Sequence, residues 1–257
     1  MRAIIATAQE TFLTLRRDKI FYPALIITIF IFLAASFIAE WSVDDWRIIF
    51  YNFSQTMFRL AGDIIALLFG TKILQDASAD GSIETSLSRP LGRGQWIIGK
   101  YLGLAACLVL FGVVAGGSWK LIDLFYEMNT PNEMIGWGIL FAITEWLVVG
   151  ALSILFSTIG GFGSALFSST VLWVLGLLSG AIASSFDKPN PDFDFVFLVK
   201  KISLFWNFDR FTLIHYTRDL KLPGVSFLSS SLLYGVSLCV FLLAISTLTI
   251  KSKDAIK

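Results

Sequence analysis

From Ile20 to Ala39 the chain runs without a single charged side chain. A helix of about 20 apolar residues is what it takes to cross a hydrocarbon core of ~30 Å. Comparable runs recur at about Trp96–Trp119, Met134–Thr158, Ser164–Phe186 and Phe227–Ile250, and a more polar one covers Phe53–Leu74. Lipid offers no partner to a backbone N–H or C=O, so segments of this kind satisfy their own backbone as helices. Six of them predict an all-α polytopic membrane protein with six transmembrane helices. Pro23 falls in the first turn of its helix, where it is tolerated. A cleaved signal peptide is the competing use of the first run, with Ala34-Ala35-Ser36 as a processing site. The preceding segment is long and carries acids, which favours a retained span.

Composition narrows the function classes. Only 15% of residues are charged and the net charge is +1. A soluble domain carries about 25% charged residues, and a near-neutral chain offers no electrostatic case for nucleic acid. Cys107 and Cys239 both lie inside apolar runs and read as small buried hydrophobes. Neither has His or Cys neighbours at ligand spacing, so no metal site is expected. His215 is the one histidine; alone it builds neither a metal site nor a relay, and it reads as a surface residue. No catalytic constellation of paired acids, His clusters or an activated nucleophile is visible.

Met1–Lys19 precedes the first span. Ile4, Ile5, Ala8, Phe12 and Leu15 share one helical face, with Arg2, Gln9, Glu10, Arg16 and Arg17 largely off it. That pattern predicts a helix lying in the membrane interface. Trp41 and Trp46 on one loop, and Trp119 and Trp137 flanking Lys120–Glu133, are expected at interfacial depth. Gly99 with Gly103, Gly112 with Gly116, and Gly176 with Gly180 are spaced for close helix approach. Charges inside spans are costly and face the protein interior or a wet cavity. Arg59 and Asp63 stand one turn apart in the second span, where i,i+4 neighbours can touch, and Glu145 lies near the middle of the fourth. Two uses stay open: mutual satisfaction at a helix or subunit interface, or the lining of a pathway.

The polar stretch Gln75–Tyr101 is the most informative. Asp80 and Gly81 can cap a short helix, Glu84 can reach back to its free N–H groups, and Ile83 and Leu87 share a face. Pro90 ends it. The run Asp80-Gly81-Ser82-Ile83-Glu84, then Ser88-Arg89-Pro90, Arg93 and Gly99-Lys100, resembles the cytoplasmic loop between the second and third spans of type-2 ABC exporter permeases. The motif covers about Asp80 to Lys100, and the layout of the whole chain agrees with the family. The resemblance implies a single permease domain over 1–257, with an elbow helix at 1–19 and a coupling loop at 75–100. It also implies that segment 187–226 lies along the membrane surface or re-enters it. Asp80, Gly81, Ile83, Glu84, Leu87, Ser88, Arg89 and Arg93 would contact a separate ABC ATPase subunit. No Walker A pattern occurs in the sequence, so the chain is expected to hold no cofactor itself. ATP and Mg would sit on that partner. A second permease chain, identical or not, and the surrounding lipids are the other implied partners, and the place is the cell inner membrane.

Basic residues set the orientation. Arg2, Arg16, Arg17, Lys19, Lys72, Arg89, Arg93, Lys100, Lys251, Lys253 and Lys257 fall on one side of six spans, against Arg47 and Lys120 in the first two opposite loops. Both termini and the 75–101 stretch are therefore expected in the cytoplasm. The segment Asp187–Val225, with six bases of its own, argues against that count. A second function class, an ion- or proton-coupled transporter or channel, would use Arg59, Asp63 and Glu145. No inverted repeat between the chain halves supports it.

Overall fold

The computed structural model describes residues 2–41, 46–79, 92–185, 205–217 and 222–254, and among these every regular element is helical. The helices are α1 (Arg2–Arg16), α2 (Phe21–Glu40), α3 (Trp46–Ala79), α4 (Arg93–Phe125), α5 (Asn132–Ile159), α6 (Phe162–Ser185) and α7 (Val225–Asp254). Two single 3-10 turns, Asp209–Phe211 and Ile214–Tyr216, lie before α7. Five helices are long and apolar enough to cross a membrane: α2, α4, α5, α6 and α7. Helix α3 has the length, but Arg59 and Asp63 stand within its apolar stretch and it is not among the five.

Helix α5 is the axis of the bundle. It packs against α3, α4, α6, α7 and the first 3-10 turn, and it is buried along most of its length. Its partnership with α3 is bolted at four levels by side chains that reach the other helix's backbone. The Tyr51 hydroxyl donates to the Met134 carbonyl at 3.1 Å and the Trp146 indole to the Arg59 carbonyl at 2.9 Å. The Ser157 hydroxyl donates to the Thr71 carbonyl at 3.0 Å, and the Gln75 amide to the Gly160 carbonyl at 2.9 Å. Such bonds need backbones close together. Gly62, Ala66 and Gly70 supply that approach on α3: a Cβ at Gly62 would stand 1.9 Å from Trp146 Cε2, and one at Gly70 2.6 Å from Ser153 Cβ. This small-residue stripe follows the same spacing rule as the pairs noted above, yet the charges around it hide it in the sequence.

The three glycine pairs read from the sequence all lie at close contacts. Gly112 and Gly116 receive Ile143 and Ile139 of α5, Gly99 and Gly103 receive Thr7 and Thr11 of α1, and Gly176 and Gly180 receive Phe208 and Asp209. Around them is an aromatic core. Phe58 lies between Trp119 and Trp146, at centroid distances of 6.0 and 4.8 Å, with Phe32 and Tyr51 against Trp119.

One sequence expectation changes here: α4 continues as helix to Phe125, and it turns the Trp119 indole inward so that the ring is fully buried in this core. Lys120–Phe125 is thus helix rather than loop. On α1 the residues buried against α4 are Thr7, Thr11 and Leu15, with Ile4, Ala8 and Phe12 half-buried, while Ile5 is exposed. The glycines of α4 select small side chains, and both threonine hydroxyls are satisfied by the carbonyls four residues earlier, which leaves their methyl groups free to pack.

Candidate functional site

The most polar place in the bundle is where α3 and α5 meet. Each helix brings one charge to the same level, Arg59 and Glu145. The pair closes in the bidentate form that a planar guanidinium favours: Nε to Oε2 at 2.6 Å and Nη2 to Oε1 at 3.0 Å. Glu145 is fully buried and Arg59 nearly so. The same Nη2 donates a third bond, to the Phe208 carbonyl at 3.2 Å. Asp209 follows at once, within reach of the Arg59 charge.

Asp63 lies one turn further along α3, and Arg59 turns to Glu145 instead of to it. The Asp63 side chain is buried, and its Oδ1 has no hydrogen-bond partner. The buried Trp173 indole of α6 stands near the carboxylate without closing a bond to Oδ1. The three charges that the sequence pattern places within spans therefore gather in one cluster, and it is asymmetric: one pair is saturated and one carboxylate is under-satisfied. A buried polar group without a partner costs about 1–3 kcal/mol. Asp63 and Asp209 are further acidic neighbours of Arg59. The cluster holds no nucleophile–base pair, and among the described residues no group of ligating side chains could hold a metal ion.

Segment 205–217 completes the cluster from outside the helices, a contribution no local sequence signal announces. Nothing in the residues around Phe208 marks its carbonyl as an acceptor for Arg59. His215, expected at the surface, is exposed there, with Nε2 3.3 Å from Asp209.

A second charged place lies at the end of the bundle near α1. Lys72 of α3 pairs with Asp18 at 2.5 Å, in a cleft also lined by Glu10, Thr14, Asp76 and Lys100. Burial pushes the Asp18 carboxyl up, but the hydrogen bonds from Lys72 and the Ile20 N–H, with the Lys72 and Lys19 charges, hold it below the usual carboxylate value. This cleft adjoins the ends of α3 and α4 that lead into the 80–91 stretch. Asp80, Gly81, Ile83, Glu84, Leu87, Ser88 and Arg89 lie outside the described residues, and Arg93 is described only as the first residue of α4.

The bundle, with its long apolar helices and a charge cluster shut inside, is that of a multi-pass membrane protein. A family model described as ABC-2 family transporter protein matches residues 8–254. The match covers nearly the whole chain, and the chain belongs to that family. No curated protein matches the chain.

Proposed function

We propose that the chain is the membrane-spanning permease subunit of an ATP-driven ABC transporter, working as an exporter with a separate ATPase subunit and a second permease chain. The observation that carries this is the family match over 8–254, joined to the Asp80–Lys100 motif. On this view α3 is a sixth span. Its 34 residues suffice in length, and its two central charges are shielded inside the bundle. Helix α1 is the interfacial elbow, and both termini face the cytoplasm at the cell inner membrane. The coupling element is the connection between α3 and α4, shorter than the 75–100 loop expected because α3 stays helical to Ala79 and α4 begins at Arg93. Segment 187–226 would lie along the opposite membrane surface or re-enter from it. ATP and Mg sit on the partner, and Glu84 and Arg89 lead the contact with it. A partner drives transport only by favouring one of two membrane conformations, and the α3–α4 connection is where it would grip.

The test is co-purification. A tag on the C-terminus, mild solubilisation and identification of the associated proteins should return a stoichiometric partner carrying a Walker A motif, lost on Glu84→Ala. Isolation of the chain alone from several mild detergents would sink the proposal. One observation supports a second reading, an ion- or proton-coupled path: the unpartnered Oδ1 of buried Asp63. Under it, Asp63→Asn abolishes flux in vesicles of the chain alone. Under the first reading, the partner still binds this variant.

A further inference from the structure

Residues 205–217 are tied down in an unusual way. They form no long helix, yet Phe208 and Phe211 are fully buried. They lie against α5, α6 and α7, in a seat cut by three glycines. A Cβ at Gly176 would stand 2.7 Å from Phe208, one at Gly180 3.1 Å from Asp209, and one at Gly235 3.2 Å from Phe211. The ties are mostly to backbone. The Phe208 N–H donates to the Gly176 carbonyl at 3.1 Å and the Trp206 indole to the Leu172 carbonyl at 2.7 Å. The Tyr234 hydroxyl donates to the Phe205 carbonyl and accepts from the Asn207 N–H, while Arg210 lies 5.2 Å from the Tyr234 ring centroid.

Every one of these ties except one comes from α6 or α7. The exception is Arg59 Nη2 on the Phe208 carbonyl, and it comes from α3, thirteen residues in from the helix start and so about 20 Å along it. Arg59 is held in place to do this by its two bonds to Glu145.

We propose that residues 205–217 are a strap seated inside the bundle on the side away from α1, and that the Arg59–Glu145 pair is its latch. Arg59 is then a positioning residue for the strap as well as a partner for Glu145. The other end of α3 leads into the 80–91 stretch, so a shift of α3 along its axis draws the guanidinium away from the Phe208 carbonyl. With that bond gone the strap loses its one tie to α3, and its remaining seat against α5, α6 and α7 loosens. Any route between α3, α5, α6 and α7 is covered while the strap is down. This holds whether or not a separate ATPase drives the chain.

Hydrogen exchange followed by mass spectrometry tests it, on the full chain in lipid nanodiscs. Arg59→Lys keeps a cation opposite Glu145 but loses the fork that serves two acceptors at once. Arg59→Gln with Glu145→Gln removes both charges together, leaving neither buried alone. In both variants exchange across 205–217 is expected to rise at least about tenfold while α5 stays protected, as expected of a local opening. A disulfide between Gly180→Cys and Asp209→Cys should reverse the rise. A Cβ at Gly180 would lie 3.5 Å from Asp209 Cβ, within the range a disulfide accepts. Strap protection unchanged from wild type in both variants overturns the latch. So does a rise that the closed disulfide fails to reverse, since the exposure would then come from the bundle and not from the strap.

Discussion

Among the described residues two ion pairs tie α3 to the rest of the molecule, and they have little in common. Arg59–Glu145 lies in the core, bidentate and sealed from water, and carries a third bond to the strap. Lys72–Asp18 lies at the end of the bundle, with the Lys72 side chain 35% exposed. The first is a commitment, because separating it leaves a charge in a medium that does not solvate it. The second is a tether that water and salt can replace at little cost. One helix thus has a fixed point in its middle and a loose one at the end that leads into the 80–91 stretch.

Breaking the core pair should have the largest effect. Glu145→Ala or Arg59→Ala leaves a buried charge unpaired, and about 3–5 kcal/mol of stability should be lost. Unfolding followed by tryptophan fluorescence in detergent would read it. Replacing both residues with Met and Leu should recover most of the loss. If the double replacement is as unstable as the singles, the cost lies in packing and the contrast between the pairs weakens.

The next effect probes the packing that holds the core pair in register. Gly62→Ala drives a methyl group into the Trp146 ring, and overpacking of this kind costs about 1–3 kcal/mol. Gly117→Ala, with nothing within 4 Å, is the control and should be close to neutral. At the α1 end, Gly103→Ala meets Thr11 Cβ at 2.5 Å and the Ala8 carbonyl at 2.6 Å. It should loosen α1 and expose it to limited proteolysis while the core melts as before.

The smallest effect belongs to the tether. Lys72→Ala should change stability by about 0–1 kcal/mol, and added salt should blunt even that. Its pH dependence has a definite sign. The folded Asp18 carboxyl is depressed, so its contribution is present above the unfolded carboxylate value of about 3.9. It is lost as pH falls through that value and the lower folded one. Melting temperatures measured from pH 6 to pH 3 should fall more steeply in the wild type than in Asp18→Asn.

Much of the architecture was legible before any fold was known. The apolar runs mark α2, α4, α5, α6 and α7 within a few residues, because a span must be long, apolar and helical whatever surrounds it. The glycine pairs also point to close contacts, since the absence of a Cβ is a local property. Partner choice was not legible in the same way. The i,i+4 spacing offered Asp63 to Arg59, but the rotation of α5 about α3 presents Glu145, and only the packed pair of helices fixes that rotation. The seating of α1 was not legible either, since Thr7 and Thr11 meet Gly99 and Gly103 of α4 only once the two helices pack.

The sequence by itself determined that this chain crosses a membrane several times, that it encloses three charges, and that a motif stretch separates two of its helices. Those are consequences of local composition and period, set residue by residue. The tertiary structure alone decided that Arg59 takes Glu145, that Asp63 is left short of a partner, and that the Phe208 carbonyl closes the cluster from 149 residues away. Hydrogen bonds are short-ranged and directional, so which groups meet is set by how whole helices rotate and seat against one another, and no window of sequence contains that.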